Sequence, residues 1–325
     1  MSPYSAILGT GASLPRRAVS NQELTLFLAE KGVETSAEWI ETRTGIRQRY
    51  LCDPDETNCE MASKAALQAL QAACATPLDV ELIILATSTP DQVFPSTACA
   101  VQAELGAHKA IAFDIQAVCS GFVYALTVAD SMIRAGQVNN ALVIGSEVFS
   151  RLMDWNDRTT CVLFGDGAGA VYLKASSEPG ILGCKLHSDG NLGSILNTTG
   201  RIDGGRIVGD PFLRMDGQAV FRQAVSVLGN SALELFESLN FKLEDLDFLV
   251  PHQANVRILN SVAKKLKLPE DRVIVTVGMH GNTSAASVPL ALNHAIVQKQ
   301  IKKGHNVLLQ GVGGGFTWGS VLVRM

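Results

Sequence analysis

The sequence predicts an α/β protein built from two similar halves, and two observations support this prediction. Short apolar segments typical of buried strands alternate with segments whose apolar residues recur at helical spacing. The same order of segments then returns about 165 residues further along the chain. A repeat of that length indicates a duplicated domain, because solenoid repeats are much shorter.

The individual elements follow from the apolar pattern. Strands are predicted over residues 82–86, 111–118, 141–144, 248–250, 273–277 and 307–309. Helices are predicted over residues 59–75, 253–266 and 285–296. Gly, Pro and Asp concentrate between the elements, and the longest loop-like region covers residues 188–211.

The internal repeat aligns residues 78–144 with residues 243–309. In both copies a strand, a helix, a second strand and a small-residue turn precede a further helix and strand. We therefore expect one half over residues 1–174 and a second half over residues 175–325. Equivalent strand-to-helix turns of the two halves would then meet at a shared cleft, where ligands of α/β sheets usually bind.

Composition and charge exclude several classes of protein. With 47% hydrophobic and 18% charged residues the chain is not intrinsically disordered. A net charge of −4 argues against binding to nucleic acid in bulk. Apolar runs such as residues 82–86 are too short to span a membrane, and Arg16 and Arg17 follow the first apolar segment instead of preceding it as in a secretory signal. We expect a soluble, cytoplasmic protein.

The number and spacing of the cysteines also agree with an intracellular protein. There are seven, an odd number, and they are widely spread without a C-x-x-C pair. This pattern argues against a disulfide scaffold and against a clustered zinc site.

Three polar residues lie at predicted strand-to-helix turns. Cys119 ends a strand and opens a helical stretch, where the positive end of the helix dipole favours the thiolate form. His252 follows another strand, and Asn282 lies in a turn that the internal alignment matches with the Cys119 turn. The sequence therefore predicts a soft nucleophile, an imidazole and an amide in one cleft.

Each of these features also has a purely structural explanation. A lone cysteine usually packs in a core, an isolated histidine is often structural, and Asn-Thr-Ser is a good helix cap. The glycines at 313–315 are sufficient for a tight turn alone. A functional interpretation is favoured because all four features occur at corresponding positions of the two halves.

The segments around these residues form a recognisable set of motifs. They are residues 117–122, 250–255, 280–289 and 313–320, extended by residues 38–46 and 164–169. Together they closely resemble the β-ketoacyl-acyl carrier protein synthase III family, from the first strand to the last residues. The resemblance implies the thiolase fold, with duplicated α/β halves in a five-layered α-β-α-β-α arrangement, and a homodimer.

The resemblance also implies the reaction. It is the initiating step of type II fatty-acid synthesis, a decarboxylating Claisen condensation of an acyl-CoA, acetyl-CoA being the expected primer, with malonyl-acyl carrier protein. Cys119 would carry the acyl group, and the backbone N–H groups of Cys119 and Gly314 would form an oxyanion hole. His252 and Asn282 would hold the enolate that decarboxylation leaves. No metal or redox cofactor is expected.

Substrate contacts carry over from the same family. Trp39, Arg43 and Arg158 match CoA-binding positions at a channel mouth, and Phe221, Ala254 and Asn255 match positions along the pantetheine arm. Phe94 matches a residue that reaches the partner subunit's acyl pocket across a dimer interface. The residues expected to contact the carrier protein are Gln253, Ala254, Asn255, Val256, Arg257, Arg222, Lys264 and Lys265, a basic set suited to an acidic partner.

Some positions depart from the family pattern. Gln116 and Val118 replace smaller residues before the nucleophile, and Val312 replaces a common phenylalanine before the glycine run. These departures put the acyl-chain preference in doubt and leave the chemistry unaffected.

Four other functions remain to be weighed. The main alternative is a thiolase-fold condensing enzyme of secondary metabolism that uses a longer or aromatic primer. A thiolase is disfavoured because the chain lacks a late Cys-x-Gly cysteine, and a papain-type hydrolase because it lacks that family's cysteine motif. An inactive carrier-protein-binding module is disfavoured because Cys119, His252 and Asn282 are all present.

Overall fold

Two mixed β-sheets organise the fold in the computed structural model, which describes residues 4–325. The strands are β1 (Tyr4–Ser13), β2 (Arg17–Ser20), β3 (Gln48–Leu51), β4 (Leu82–Ala86), β5 (Ile111–Ile115), β6 (Asn140–Glu147), β7 (Gly167–Ser176), β8 (Ile181–Ser188), β9 (Leu196–Asn197), β10 (Arg201–Asp203), β11 (Arg206–Val208), β12 (Arg214–Met215), β13 (Phe248–Pro251), β14 (Asn306–Gly313) and β15 (Thr317–Arg324). The helices are α1 (Asn21–Glu30), α2 (Ala37–Thr44), α3 (Asn58–Ala72), α4 (Thr97–Leu105), α5 (Gly121–Arg134), α6 (Arg158–Cys161), α7 (Gly217–Leu239), α8 (Val256–Lys265), α9 (Val277–His280) and α10 (Ser287–Val297).

The two sheets repeat one topology. The first has the order β1-β7-β6-β4-β5, and the second has the order β8-β15-β14-β13. In each sheet two antiparallel pairs are followed by a parallel pair. A parallel bridge between Leu249 and Val273 stands where the fifth strand of the second sheet would lie. The predicted duplication is therefore visible in the order and direction of the strands.

Helices cover both sheets and separate them. Alternate residues of a strand face opposite sides of its sheet, so Ile83 and Leu85 of β4 pack toward α3 and α4, whereas Leu82 and Ile84 face the interior with α5 and α10. The interior cluster also receives side chains of β14 and β15, and α7 and α8 cover the outer face of the second sheet. This stacking confirms the predicted five-layered α-β-α-β-α arrangement.

Two of the predicted elements change at their ends. The strand predicted over 111–118 ends at Ile115, because Val118 adopts a positive φ of 47° and begins a 3-10 turn, Val118–Ser120. The helix predicted over 253–266 begins only at Val256, since the side chain of Asn255 caps it by accepting the N–H of Arg257.

The strand predicted over residues 273–277 is wrong. Its β-branched residues favour a strand, but the side-chain oxygen of Gln253 accepts the N–H groups of Thr276 and Val277 at 2.8 and 3.1 Å. The Gln253 amide also donates to Ile274 O at 3.0 Å. These backbone groups therefore bond to a side chain instead of a neighbouring strand, and α9 starts at Val277.

Other predicted boundaries differ less. The helix predicted over 59–75 starts at Asn58 because Thr57 caps it, and the loop-like region 188–211 contains a 3-10 segment and short strands. The expected boundary after residue 174 falls within β7, and the division into halves at that point stays a prediction.

Equivalent turns lead into the two central helices. The 3-10 turn Val118–Ser120 precedes α5, and the 3-10 turn Ser284–Ala286 precedes α10. The first residue of each turn has a positive φ, 47° at Val118 and 49° at Ser284. Cys119 and Ala285 therefore occupy the same place in the two halves.

Candidate active site

Cys119, His252 and Asn282 line one cavity of about 590 Å³. Cys119 comes from the turn before α5 in the first half, and His252 follows β13 in the second half. Asn282 belongs to the loop before the turn Ser284–Ala286. The three side chains that the sequence predicts in one cleft thus share one cavity.

The Cys119 side chain is almost wholly buried. Burial raises the pKa of its thiol to about 12, although a hydrogen bond with Ser284 lowers it, and the nearby Glu147 carboxylate raises it further. The thiolate preference expected at a helix N-terminus is thus opposed by desolvation, and the thiol form is favoured.

His252 is held from both its backbone and its ring. Its N–H donates to Gln310 O at 2.8 Å, and its Nδ1 lies 2.6 Å from the Ser287 hydroxyl. Burial lowers the pKa of the imidazole to about 3, so the ring is neutral.

The backbone of Asn282 is fixed between two neighbours. Its N–H donates to Leu163 O at 2.9 Å, and its carbonyl accepts the N–H of Gly165 at 3.0 Å. Its side-chain Oδ1 accepts the N–H of Ser284 at 2.9 Å. Because Oδ1 is engaged in this way, the Nδ2 group is the donor that Asn282 can offer to the cavity.

The glycine run lies directly against the nucleophile turn. A Cβ atom on Gly313 would lie 2.6 Å from the backbone nitrogen of Cys119, so only glycine allows this approach. Gly313 lines the same cavity as Cys119, whereas Gly314 lines an adjoining cavity of about 370 Å³ together with Val118 and Leu196. The oxyanion role of Gly314 stays a prediction.

At the cavity mouth, two arginines lie over one tryptophan ring. The guanidinium of Arg158 is 4.8 Å from the centre of the Trp39 ring, and that of Arg43 is 5.6 Å from it. Trp39 and Arg43 line the cavity, while Arg158 also donates to Glu34 O at 2.8 Å. Deeper in the cavity, Phe221, Ala254 and Asn255 contribute to its wall, as the sequence predicts.

The residues predicted to contact a carrier protein differ in their environments. Arg222 and Arg257 are exposed at the cavity wall, and Lys264 is exposed on α8. The ammonium group of Lys265 instead donates to Ser226 O and to the Asn230 side chain, at 2.9 and 2.8 Å.

Two further members of that set differ in environment. Val256 is half-buried and packs against Gly45, the residue that follows α2: a Cβ atom on Gly45 would lie 2.7 Å from the Cβ of Val256. The assignment of Gln253 is corrected. Only 1% of Gln253 is exposed, and its amide bonds within the protein, so its side chain does not belong to a docking surface.

Phe94 lies outside the cavity. It is 82% exposed and is preceded by Val93, which is 69% exposed. Val93 and Phe94 thus form an exposed apolar pair away from the cavity, and the subunit contact of Phe94 stays a prediction.

The sequence does not indicate three residues that act on the predicted ones: Ser287, whose hydroxyl lies beside His252 Nδ1, and Ser284 and Glu147, which both change the pKa of the Cys119 thiol. Ser284 and Ser287 lie in a motif that the sequence singles out, but nothing in the pattern assigns them a role. Glu147 ends a buried strand and carries no sequence signal of its own.

Within residues 4–325 no group of three or more His, Cys, Asp or Glu side chains is arranged to hold a metal ion. The seven cysteines are all free thiols. Over the same residues, no helix is both long and apolar enough to cross a membrane.

Comparison with known proteins yields one family. The family model for 3-Oxoacyl-[acyl-carrier-protein (ACP)] synthase III matches residues 113–190, and the model for its C terminal part matches residues 236–325. A Beta-ketoacyl-[acyl-carrier-protein] synthase III of Bordetella petrii is 60% identical over 322 residues, which are 99% of this chain and 98% of that protein.

Solved structures give the same result. The 3-oxoacyl-[acyl-carrier-protein] synthase III from Aquifex aeolicus VF5 has a TM-score of 0.92 and 46% identity, over 99% of this chain and 100% of that chain. The 3-oxoacyl-(acyl carrier protein) synthase III from Pseudomonas aeruginosa PAO1 has a TM-score of 0.91 and 42% identity, over 99% of this chain and 98% of that chain.

Proposed function

The chain belongs to the 3-oxoacyl-[acyl-carrier-protein] synthase III family, and we propose that Cys119, His252 and Asn282 carry out its condensation reaction. The enzyme is an acyltransferase that initiates fatty-acid synthesis with acyl-CoA and carrier-protein substrates. The alternative, a condensing enzyme of secondary metabolism, is disfavoured by the close relationship to synthases of fatty-acid synthesis. The observation that supports the residue assignment is the convergence of the three side chains on one cavity.

In the first half-reaction, the Cys119 sulfur attacks the thioester carbonyl of the acyl-CoA. A bond forms between that sulfur and the acyl carbon, and the bond from the acyl carbon to the CoA sulfur breaks. The CoA leaves as a thiolate and takes up the proton that the Cys119 thiol gives up. The oxyanion of the tetrahedral intermediate would accept hydrogen bonds from the backbone N–H groups of Cys119 and Gly314, which is the family arrangement.

In the second half-reaction, malonyl-acyl carrier protein loses carbon dioxide. The electrons of the broken carbon–carbon bond become an enolate, whose oxygen would accept hydrogen bonds from His252 Nε2 and Asn282 Nδ2. The enolate carbon attacks the acyl-Cys119 carbonyl, and Cys119 leaves as a thiolate, which takes up a proton from solvent and becomes a thiol again. The product is a 3-oxoacyl-acyl carrier protein.

The neutrality of His252 suits this role. A neutral imidazole donates a hydrogen bond from one nitrogen without delivering a proton that would quench the enolate. No electron is gained or lost in either half-reaction, and the charges that develop are met by hydrogen-bond donors. We therefore propose that the cycle needs no metal or redox cofactor.

The binding of substrates follows the cavity from its mouth to Cys119. The Trp39 ring and the guanidinium of Arg158 offer flat surfaces for an adenine, and Arg43 offers a charge for a phosphate. The pantetheine arm would pass Phe221 and Ala254. The carrier protein would dock at Arg222, Arg257 and Lys264.

We propose a homodimer in the cytoplasm. The exposed side chains of Val93 and Phe94 support a subunit contact, since association would remove them from water. The seven free thiols support a reducing compartment.

The assignment of the nucleophile is tested by intact-mass analysis after incubation with a panel of acyl-CoA thioesters. The enzyme should gain the mass of one acyl group, and Cys119→Ala should gain none while its thermal unfolding stays cooperative. Peptide mapping that places the acyl group on Cys161 or another cysteine contradicts the assignment.

A further inference from the structure

Glu147 is a buried carboxylic acid that takes no part in the two proposed half-reactions. It ends β6, and none of its surface is exposed. Within residues 4–325 its contacts are hydroxyl groups and one backbone amide, and it forms no ion pair with a cation. Because burying a carboxyl group is costly, its position beside the nucleophile calls for an explanation.

One oxygen of Glu147 is fully engaged. Its Oε2 accepts the hydroxyl of Thr89 at 2.5 Å, the N–H of Ser88 at 3.0 Å and the hydroxyl of Thr87 at 3.2 Å. Both hydroxyls act as donors here, because Thr89 Oγ1 already accepts the N–H of Val148 and Thr87 Oγ1 accepts the N–H of Thr89. A proton on this carboxyl group therefore belongs on the other oxygen, Oε1.

The other oxygen faces a hydroxyl that it shares with the nucleophile. Glu147 Oε1 lies 3.0 Å from Ser284 Oγ. Ser284 also acts on the nucleophile, because hydrogen bonding from its side chain lowers the pKa of the Cys119 thiol. Ser284 has one hydroxyl hydrogen, so it can donate to Glu147 or to Cys119, but not fully to both.

We propose that Glu147 is a positioning residue for the acylation of Cys119 and determines, through the Ser284 hydroxyl, whether the sulfur receives a hydrogen bond. This inference rests on the proposed role of Cys119 as nucleophile. It adds a control of that nucleophile which the condensation chemistry itself does not require.

Two states follow from the proton on Glu147. When Oε1 is protonated it donates to Ser284 Oγ, and the hydrogen of Ser284 turns to the Cys119 sulfur and stabilises a thiolate there. When Glu147 is ionised it takes the hydrogen of Ser284, and its negative charge also opposes a second negative charge on the sulfur.

Both states are accessible near neutral pH. Burial raises the pKa of Glu147 to about 7, while its four hydrogen bonds lower it. Below that pH Glu147 is protonated and supports the thiolate; above it Glu147 is ionised and raises the pKa of Cys119. A rise in pH through the pKa of Glu147 therefore works against thiolate formation.

The surroundings of Glu147 contain few other charges that could produce this dependence. The turn after β4 presents only threonine and serine, and the loop from the second half presents Ser284. On β7, Glu147 pairs with Gly167, and the neighbouring Asp166 directs its carboxylate to Ser150 and to the N–H of Cys52. Cys119 is the titratable side chain that faces Glu147.

The test is Glu147→Gln, a substitution of the same shape. The glutamine oxygen can accept the three donors at the Oε2 position, and its NH2 group then donates to Ser284 as a protonated glutamic acid would. We expect the pH midpoint of Cys119 alkylation by iodoacetamide, followed by peptide mass spectrometry, to fall by about one unit. The rate of acyl transfer from acetyl-CoA should be measured as a function of pH. In the Glu147→Gln variant, this rate should no longer fall above neutral pH as we expect it to in the unaltered enzyme.

The link through Ser284 is tested by combining substitutions. Ser284→Ala removes the hydroxyl, and Ser284→Gly does so with a residue that accepts a φ of 49° if alanine impairs folding. In either background, adding Glu147→Gln should shift the alkylation midpoint much less than it does when the hydroxyl is present, because only the direct effect of the carboxylate charge is then removed. An equal shift with and without the Ser284 hydroxyl would show that charge acts directly through space, and it would overturn the proposal.

A control separates this effect from the general loss of a buried carboxylate. Burial also raises the pKa of Asp114, whose carboxylate accepts the N–H groups of Thr97 and Ala98. Asp114→Asn should not move the alkylation midpoint of Cys119. If Glu147→Gln leaves the pH midpoint of Cys119 alkylation unchanged, the inference is overturned, even if the enzyme acylates normally. If Cys119 fails to acylate with any acyl-CoA, the proposed function is refuted, but the alkylation result still stands.

Discussion

The hydroxyl of Ser287 lies 2.6 Å from Nδ1 of His252 and accepts the backbone N–H of Gln253 at 3.3 Å. Because Gln253 donates to the Ser287 oxygen, the one hydrogen of that hydroxyl is available for Nδ1. A neutral imidazole that accepts at Nδ1 carries its hydrogen on Nε2. The donor role proposed for His252 Nε2 therefore requires the Ser287 hydroxyl to donate to Nδ1.

Ser287→Ala should slow decarboxylation of malonyl-acyl carrier protein by about tenfold, the worth of one hydrogen bond of about 1.4 kcal/mol. Acyl transfer should change much less, since His252 is proposed to act on the enolate. Rates of the two half-reactions measure the split. Ser238→Ala is a suitable control, because its hydroxyl bonds to Leu235 O within α7, outside the cavity. Equal slowing of both half-reactions would contradict the proposed role.

His252→Ala and Asn282→Ala should each reduce decarboxylation by about a hundredfold or more, as expected for the loss of one aimed donor. Acylation of Cys119 should persist in both variants, and intact-mass analysis can follow it separately. A variant that decarboxylates normally but fails to acylate requires the roles of the two half-reactions to be reassigned.

Arg257→Glu combined with Lys264→Glu should weaken the use of malonyl-acyl carrier protein by about tenfold at low salt. Self-acylation by acetyl-CoA should change little, because charge steering acts on the acidic carrier. Lys302→Glu with Lys303→Glu is the matched control, since it makes the same change in charge beside a different cavity. If both half-reactions fall together, the substitutions have damaged the cavity.

Val312→Phe should shift the primer preference toward shorter acyl groups. Val312 is 5% exposed and lines the cavity with Cys119, so a phenylalanine fills space that an acyl chain can otherwise use. Each methylene that loses its burial costs about 0.8 kcal/mol, or about fourfold in relative rate. Acylation rates with a series of acyl-CoA chain lengths measure the shift. Strict acetyl preference in both forms would refute the idea.

The sequence pattern alone predicts the α/β class and the meeting of Cys119, His252 and Asn282, whereas the five-layered arrangement is implied only by the family resemblance. The first two depend on local signals, namely the alternation of strands with helices and the polar residues that follow each strand. Because the second half repeats the first, the turn before α10 could be matched with the turn before α5 without any coordinates.

Contacts between distant segments could not be predicted in this way. Gln253 opens the helix predicted over 253–266 and is among the expected carrier-protein contacts, yet the chain around Thr276 folds over it and bonds to its side-chain oxygen. The same contact removes the strand predicted over 273–277. Ser284 and Glu147 are 137 residues apart, and no periodicity in either segment indicates that they touch.

Equivalent positions in the two halves carry different residue types. Ala285 stands where the first half has Cys119, and the strand register places Ala86 where the second half has His252. The internal symmetry thus creates two equivalent places for a reaction centre, but only one of them contains reactive side chains. Its nucleophile comes from one half and its imidazole from the other. Ala86 and Ala285 occupy the second, non-functional centre, so substitutions at these residues should affect folding. Catalysis depends on a fixed distance between the two halves.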